Sequence, residues 1–158
     1  MFHGKGLLRK PNGEIYEGEF YYSYFKEGKV TTRRYVGTMK NNKYHGKGKL
    51  ILWDTFATYE GDFENHVFSG HGVYTYQNGA RYEGKFVNNL RDGAGVYYFP
   101  DGSKYEGTFA QDKFTGKGAY TYKNGKKIAG EFVDDLFLTE GLKKDANSTL
   151  SGNGLKIN

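Results

Sequence analysis

Gly70-His71-Gly72-Val73-Tyr74-Thr75-Tyr76, then Gln77-Asn78-Gly79-Ala80, then Arg81-Tyr82-Glu83-Gly84-Lys85-Phe86 is the stretch that decides the fold. Its outer parts alternate with period two, as half-buried strands do. Asn-Gly between two such runs is the strongest short hairpin signal. The stretch therefore predicts a β-hairpin. With the loop centred on Gly79, Tyr76 faces Tyr82, Tyr74 faces Gly84 and Gly72 faces Phe86, all six projecting to one face. By the same rule Phe99 meets Tyr105, Tyr97 meets Gly107 and Gly95 meets Phe109. Earlier in the chain, Leu52, Leu50 and Gly48 meet Tyr59, Gly61 and Phe63. A glycine inside a strand costs about 0.5–1 kcal/mol relative to alanine. A ring laid on backbone that has no Cβ offsets that cost.

Outward from this hairpin the unit recurs. Its second half reads Tyr16-Glu17-Gly18-Glu19-Phe20, Tyr35-Val36-Gly37-Thr38-Met39, Tyr59-Glu60-Gly61-Asp62-Phe63, Tyr82-Glu83-Gly84-Lys85-Phe86, Tyr105-Glu106-Gly107-Thr108-Phe109 and Ile128-Ala129-Gly130-Glu131-Phe132. The steps are 19, 24, 23, 23 and 23 residues. A fixed period of this length marks a repeat array. The turns agree: Pro11-Asn12-Gly13, Pro100-Asp101-Gly102 and Lys123-Asn124-Gly125 combine a preset bend, a tolerant Asn or Asp, and a glycine for positive φ. A lone hairpin is marginal in water, so the hairpins must stack edge to edge. The expected fold is all-β: a single-layer twisted antiparallel sheet of about six to seven consecutive hairpins.

Residues 1–132 form the array, and residues 133–158 read as a degenerate terminal repeat or cap. Within that tail, 133–146 suits a last strand or a short helix, and 151–155 the first strand of a seventh copy. Residues 21–34 depart from the pattern, with Gly28-Lys29-Val30 in place of Gly-x-Gly; this is either divergence or a shaped contact site. The second face is mixed and solvated, with Lys49 opposite Asp62 and Arg9 opposite Glu17.

Composition narrows the function. With 24 Gly, 15 Tyr and 12 Phe but only 2 Pro, the apolar surface must come from rings. The chain has no cysteine, so it carries no disulfide framework or thiolate chemistry. The net charge of +5 is mild, and its cations are interspersed with 18 acids. The N-terminus lacks the apolar core of a signal peptide, which makes an intracellular protein the expectation. His3, His45, His66 and His71 lack metal-ligand spacing. No phosphate-binding glycine loop or serine elbow occurs. Glu17, Glu60, Glu83 and Glu106 fall on the solvated face as a charge row. The expectation is no enzyme, no cofactor, no metal and no nucleic-acid partner.

The combination of Tyr-Glu-Gly-x-Phe, a short loop, Gly-x-Gly with Tyr-x-Tyr, and Asn/Asp-Gly resembles the MORN repeat (membrane occupation and recognition nexus) over roughly residues 4–132. That resemblance implies a single-layer hairpin ribbon with an aromatic groove. It implies scaffold roles in cilia, the cytoskeleton or membrane junctions, with partner helices or peptides held in the groove; lipid binding is proposed for some members. The expected function is a non-catalytic scaffold or adaptor docking a partner helix or peptide. The setting would be a multi-subunit cytoskeletal or axonemal assembly in the cytoplasm, cilium or flagellum. The groove residues would be Leu50, Leu52, Tyr59, Phe63, Tyr74, Tyr76, Tyr82, Phe86, Tyr97, Phe99, Tyr105, Phe109, Tyr120, Tyr122 and Phe132. The alternative is a peripheral module on anionic phospholipid, with Arg33 and Arg34 as the anion contacts.

Overall fold

The computed structural model describes residues 3–138, together with the short segments 143–144, 150–151 and 155–156. The strands are β1 (Gly4–Arg9), β2 (Ile15–Tyr21), β3 (Tyr24–Thr31), β4 (Tyr35–Lys40) and β5 (Lys43–Ile51). Next come β6 (Thr58–Glu64), β7 (Val67–Thr75), β8 (Arg81–Val87), β9 (Leu90–Tyr98) and β10 (Lys104–Ala110). The series ends with β11 (Lys113–Thr121), β12 (Lys127–Val133), β13 (Leu136–Phe137), β14 (Lys143–Lys144), β15 (Leu150–Ser151) and β16 (Leu155–Lys156). Strands β1 to β13 pair in chain order as one antiparallel sheet, with β16 beside β13 and β14 paired separately with β15. The architecture is the single-layer meander expected from the repeats. The segment 133–138 continues it as a turn and the short strand β13, without helix. The expected seventh-copy strand at 151–155 falls largely outside the described residues.

Two turn types alternate along the sheet. The first joins the inner strand of a unit to the next Tyr-Glu-Gly-type strand, through three residues in four of the six cases, two between β3 and β4 and four between β5 and β6. Gly79, at φ 87°, closes the loop, and the Tyr76 amide donates to the Ala80 carbonyl at 2.9 Å. The Asn78 side chain accepts the Ala80 N–H at 3.0 Å. Asp101 does the same for Ser103 at 2.8 Å and Asn124 for Lys126 at 3.0 Å. The second type is a two-residue turn with both φ positive, at Tyr22-Ser23, Asn41-Asn42, Asn65-His66, Asn88-Asn89, Gln111-Asp112 and Asp134-Asp135. Mirror-image turns of this kind match the strand twist, and Asn and Asp tolerate them better than other side chains do.

The loop therefore centres on Asn78, not Gly79, and the expected cross-strand pairs are corrected by two residues. Tyr74 faces Tyr82, Gly72 faces Gly84 and Gly70 faces Phe86. In the same way Tyr97 faces Tyr105, and Leu50 faces Tyr59. On the other face Lys47, not Lys49, lies opposite Asp62, and Leu7, not Arg9, opposite Glu17. The physical reason is the third loop residue: Gly79 takes up the left-handed step of a bulge, so the strands close one residue earlier. A shift of two residues preserves which face each side chain occupies, so the division into aromatic and polar faces survives.

The two glycines of Gly-x-Gly have different jobs. The first (Gly46, Gly70, Gly93, Gly116) holds φ between 61° and 102°, at a bulge against the preceding strand. The second is bare because a ring occupies the space of its Cβ. A Cβ added to Gly84 or Gly95 would lie 2.5 Å from Tyr82, and Gly61 with Gly72 hold Tyr59 in the same manner. Each such tyrosine thus lies over the glycine two residues on and over its cross-strand partner. Its hydroxyl donates to the carbonyl three residues on: Tyr59 to Asp62 at 2.8 Å, Tyr82 to Lys85 at 2.9 Å, Tyr105 to Thr108 at 3.0 Å. That bond satisfies the one polar atom the ring would otherwise bury.

A second ring then covers the first. Tyr59 stacks on Phe68 at 3.8 Å, Tyr35 on Tyr44 at 3.9 Å and Tyr105 on Phe114 at 4.1 Å. Phe63, Phe86, Phe109 and Phe132 meet these tyrosines edge-on. Glycine backbone, tyrosine and phenylalanine make a layered core on a one-layer sheet. Tyr59, Tyr82, Tyr105 and Phe132 are 0% exposed as a result. One cluster runs from Tyr35 to Phe132.

Candidate partner-binding surface

The expected groove residues divide by depth. Tyr59, Phe63, Tyr82, Phe86, Tyr105, Phe109, Tyr120 and Phe132 are buried in the core. Leu50, Leu52, Tyr74, Tyr76, Tyr97, Phe99 and Tyr122 are half-buried and packed against it. The half-buried set comes from one place in each unit, the end of the Gly-x-Gly strand and the start of its turn. There the aromatic rings touch across unit boundaries. Centroid separations run 4.6 Å for Tyr74–Tyr76, 5.7 Å for Tyr76–Tyr97, 4.8 Å for Tyr97–Phe99, 5.5 Å for Phe99–Tyr120 and 4.9 Å for Tyr120–Tyr122. The result is a continuous ladder of six rings along the sheet, across the strand direction. Tyr120 is held from below, its hydroxyl donating to Ser103 Oγ at 2.8 Å.

Sequence reasoning missed Arg91. The residue five places after the last position of each Tyr-Glu-Gly-x-Phe unit is Phe25, Tyr44, Phe68, Arg91, Phe114 and Phe137. That constant offset was present in the sequence and marks Arg91 as the exception. Its guanidinium stands where a ring covers the tyrosine elsewhere, 5.8 Å from the Tyr82 centroid, 5.2 Å from Tyr97 and 5.4 Å from Phe109. Nε meets Asp112 Oδ1 at 3.0 Å, and Nη2 donates to the Asp112 carbonyl. The aromatic floor therefore contains one half-buried cation beneath the ladder.

The phenols report the same environment. Burial pushes Tyr35, Tyr76, Tyr82 and Tyr105 up from 10 to about 12 and raises Tyr59 and Tyr97 as well. The Arg91 charge partly offsets the rise at Tyr76, Tyr82 and Tyr97. Removing a phenolate from water is the dominant cause throughout.

Arg33 and Arg34 lie in the turn between β3 and β4. The Arg34 guanidinium lies 4.5 Å from the Trp53 ring. Trp53 and Phe56, in the longer turn between β5 and β6, are 59% and 65% exposed. The opposite face of the sheet carries an open trough of about 1030 Å³ lined by residues such as Lys47, Lys49, Glu60, His71 and Glu83. Its charges are paired, Lys47 with Asp62 at 2.7 Å and Lys49 with Glu60 at 3.4 Å. Among the described residues no group of three or more His, Asp or Glu could hold a metal ion.

The structure is thus a one-layer hairpin array with paired charges on one face and a ring ladder on the other. Residues 1–15, 35–52, 59–81, 82–104 and 105–127 match the MORN repeat, and the chain belongs to that family. MORN repeats are in general non-catalytic modules for protein interaction or membrane binding. Alsin of Rattus norvegicus is 32% identical over 80 residues, covering 45% of this chain and 5% of Alsin. The chain thus spans a small fraction of that relative's length. Among solved structures, the TCP domain of Drosophila melanogaster SAS-4 (dCPAP), in complex with a proline-rich motif of Ana2 (dSTIL), is similar at a TM-score of 0.45 and 15% identity. That match covers 94% of this chain and 82% of that one, and the likeness is too low to carry anything further across.

Proposed function

We propose that the chain is a non-catalytic scaffold that docks an amphipathic helix or extended peptide of a partner protein along the ring ladder. The observation that carries this reading is the unbroken contact from Tyr74 to Tyr122. Six half-buried or buried rings in a row offer a long apolar track, where hydrophobic anchors of a helix or peptide can seat. The setting proposed is a multi-subunit cytoskeletal or axonemal assembly in the cytoplasm or cilium, as the family's scaffold roles suggest. The test is affinity purification of the tagged chain from its native cell, with the tagged protein also imaged there. Y97A/F99A should lose the proteins that the parent chain retains, while its far-UV circular dichroism is unchanged. Equal recovery by a folded double variant would move the docking surface elsewhere.

A second reading is supported by one contact, the Arg34 guanidinium on exposed Trp53, with exposed Phe56 in the same turn as Trp53 and Arg33 next to Arg34 in sequence. Trp at a bilayer interface with nearby cations is a recognised anchoring pattern. Sedimentation with phosphoinositide liposomes tests it, and W53A/F56A should then abolish pelleting. Pelleting that disappears in 150 mM salt, while partner recovery persists, would leave the scaffold reading alone.

A further inference from the structure

Among the described residues, Arg91 is the one charged side chain on the aromatic face from β5 to β12. The other strand positions on that face are Gly, Tyr, Phe, Leu and Ile. At the same place in neighbouring units a ring stacks closely, Phe68 at 3.8 Å from Tyr59 and Phe114 at 4.1 Å from Tyr105. The Arg91 guanidinium stands 5.8 Å from Tyr82. A stacked ring has been exchanged there for a charge largely withdrawn from water, since the Arg91 side chain is 16% exposed.

The guanidinium is held along one edge. Nε and Nη2 donate to Asp112, and Nη1 makes no hydrogen bond. No fully buried side-chain nitrogen among the described residues lacks a partner, so Nη1 reaches solvent.

Asp112 does not silence the charge at the ladder. Its side chain is 44% exposed and therefore screened by water. Burial raises the Tyr76 and Tyr82 phenols, and at both the lowering by Arg91 is larger than the raising by Asp112. Tyr97 is raised by burial and lowered by Arg91 in the same way. Of this ion pair, the cation dominates where a partner would touch.

A segment lying on Tyr76 and Tyr97 would strip the remaining water from Nη1. A wholly apolar segment would leave that donor unmet and lose affinity. A carboxylate would meet it in a charge-assisted bond, strengthened by the low dielectric of the covered site.

This step rests on the ring ladder as the docking surface. We propose that Arg91 selects the partner: the docked helix or peptide carries one Asp or Glu between its apolar anchors, and that carboxylate accepts from Arg91 Nη1 beside Tyr76 and Tyr97. Arg91 then attracts the acid and also rejects uniformly apolar segments.

A phage library of short random peptides, selected on the chain and counter-selected on Y97A/F99A, supplies the probe. The retained peptides should carry Asp or Glu flanked by apolar residues. Exchanging that acid for its amide should weaken binding about tenfold by fluorescence anisotropy. Arg91→Phe installs the ring of the other units and should keep a urea midpoint no lower than the parent's, while the acid and amide peptides bind it equally. Arg91→Met makes the same comparison without requiring a ring to seat. Failure to select any peptide that needs Tyr97 and Phe99 would remove the docking reading, and this proposal with it. Ladder-dependent peptides without an acid, or an acid preference that survives in both variants, would overturn this proposal alone.

Discussion

Tyr82 and Tyr16 hold the same place in their strands, two residues ahead of a glycine and four ahead of a phenylalanine. Tyr82 lies flat over Gly84 and Gly95, is 0% exposed, and donates its hydroxyl inward to Lys85. Tyr16 does none of this. A Cβ on Gly18 or Gly28 would meet opposing backbone at 2.1–2.2 Å, not a ring. The Tyr16 hydroxyl instead donates to Glu14 at 3.1 Å and accepts from Lys10 at 3.3 Å, so the ring turns toward the loop. The difference lies in the following strand. β9 carries two glycines and a bulge at the first, Gly93, whereas in β3 Gly28 faces Gly18 as the second glycine does and Lys26 stands where the first would be. Lys26 does not take the positive φ that Gly93 holds, so the strand after Tyr16 lacks the left-handed step at the place that opens room for the ring. The same five-letter word builds a core only when the next strand supplies both glycines. Leu7, Leu8, Tyr21, Tyr22 and Tyr24 of this N-terminal unit are also exposed.

The sharpest way to break the comparison is to delete both rings. Tyr82→Ala should cost about 4 kcal/mol, the scale of removing a fully buried aromatic. Tyr16→Ala should cost no more than about 1 kcal/mol, as for a surface residue. Urea denaturation of the two variants reads this directly, and comparable losses would mean that the N-terminal unit shares the central core. Next in size is Gly95→Ala, where the new Cβ would sit 2.5 Å from Tyr82. The ring must leave its seat, and about 3 kcal/mol is expected. Gly13→Ala meets nothing within 4 Å at φ 88°, so only backbone strain of about 1 kcal/mol remains.

Much of this was legible in the sequence, and the gaps have physical reasons. Period-two alternation and Asn-Gly turns gave the strands, the single layer and the two faces. The register escaped because a three-residue loop with a left-handed third residue looks, in sequence, like one centred on its glycine. The split between the glycines of Gly-x-Gly escaped because positive φ and ring contact leave the same letter. The strand extensions before Gly70 and Gly93 are hidden in sequence because Phe68 and Arg91 lie outside the Gly-x-Gly motif. Alternation puts the candidate site residues on the aromatic face, where the structure also has them, but their depth depends on stacking between units, which alternation within one unit cannot reveal.

Alkaline titration separates the regions by a smaller effect at each ring. Tyr35, Tyr76, Tyr82 and Tyr105 titrate near 12 in the folded chain because burial disfavours the phenolate. An unfolded tyrosine titrates near 10. Below pH 10 both states hold the proton, and the stabilisation is fully present. Between about pH 10 and 12 the unfolded chain gives up protons first, so stability falls. Urea midpoints at pH 8, 10 and 11 should therefore decline steeply only in the last interval. Tyr82→Phe should flatten that decline, since it removes one of the shifted phenols. A midpoint unchanged from pH 8 to 11 would contradict the buried setting of these rings.

The smallest expected effect tests how the units hold on to one another. In each central junction the second residue of the two-residue turn reaches back to the unit before it. Asn89 Oδ1 accepts the Phe68 N–H at 2.7 Å, Asp112 Oδ1 that of Arg91 at 2.9 Å, and Asp135 Oδ1 that of Phe114 at 2.8 Å. His66 Nδ1 does the same for Tyr44 at 3.2 Å. Each latch satisfies an amide at the strand end, where the ladder has no partner for it. At the N-terminal junction the contact is made by backbone alone, Asn41 N–H to the Lys26 carbonyl at 2.8 Å. Asn89→Ala should therefore cost about 1 kcal/mol and speed amide exchange at Phe68. Asn42→Ala loses only the tolerance of Asn for the left-handed turn at φ 60°, so it should cost less than Asn89→Ala and leave the exchange of β3 within error. If the two substitutions cost the same, the side-chain latch is not what distinguishes the central junctions, and the bulge glycines alone must account for their order.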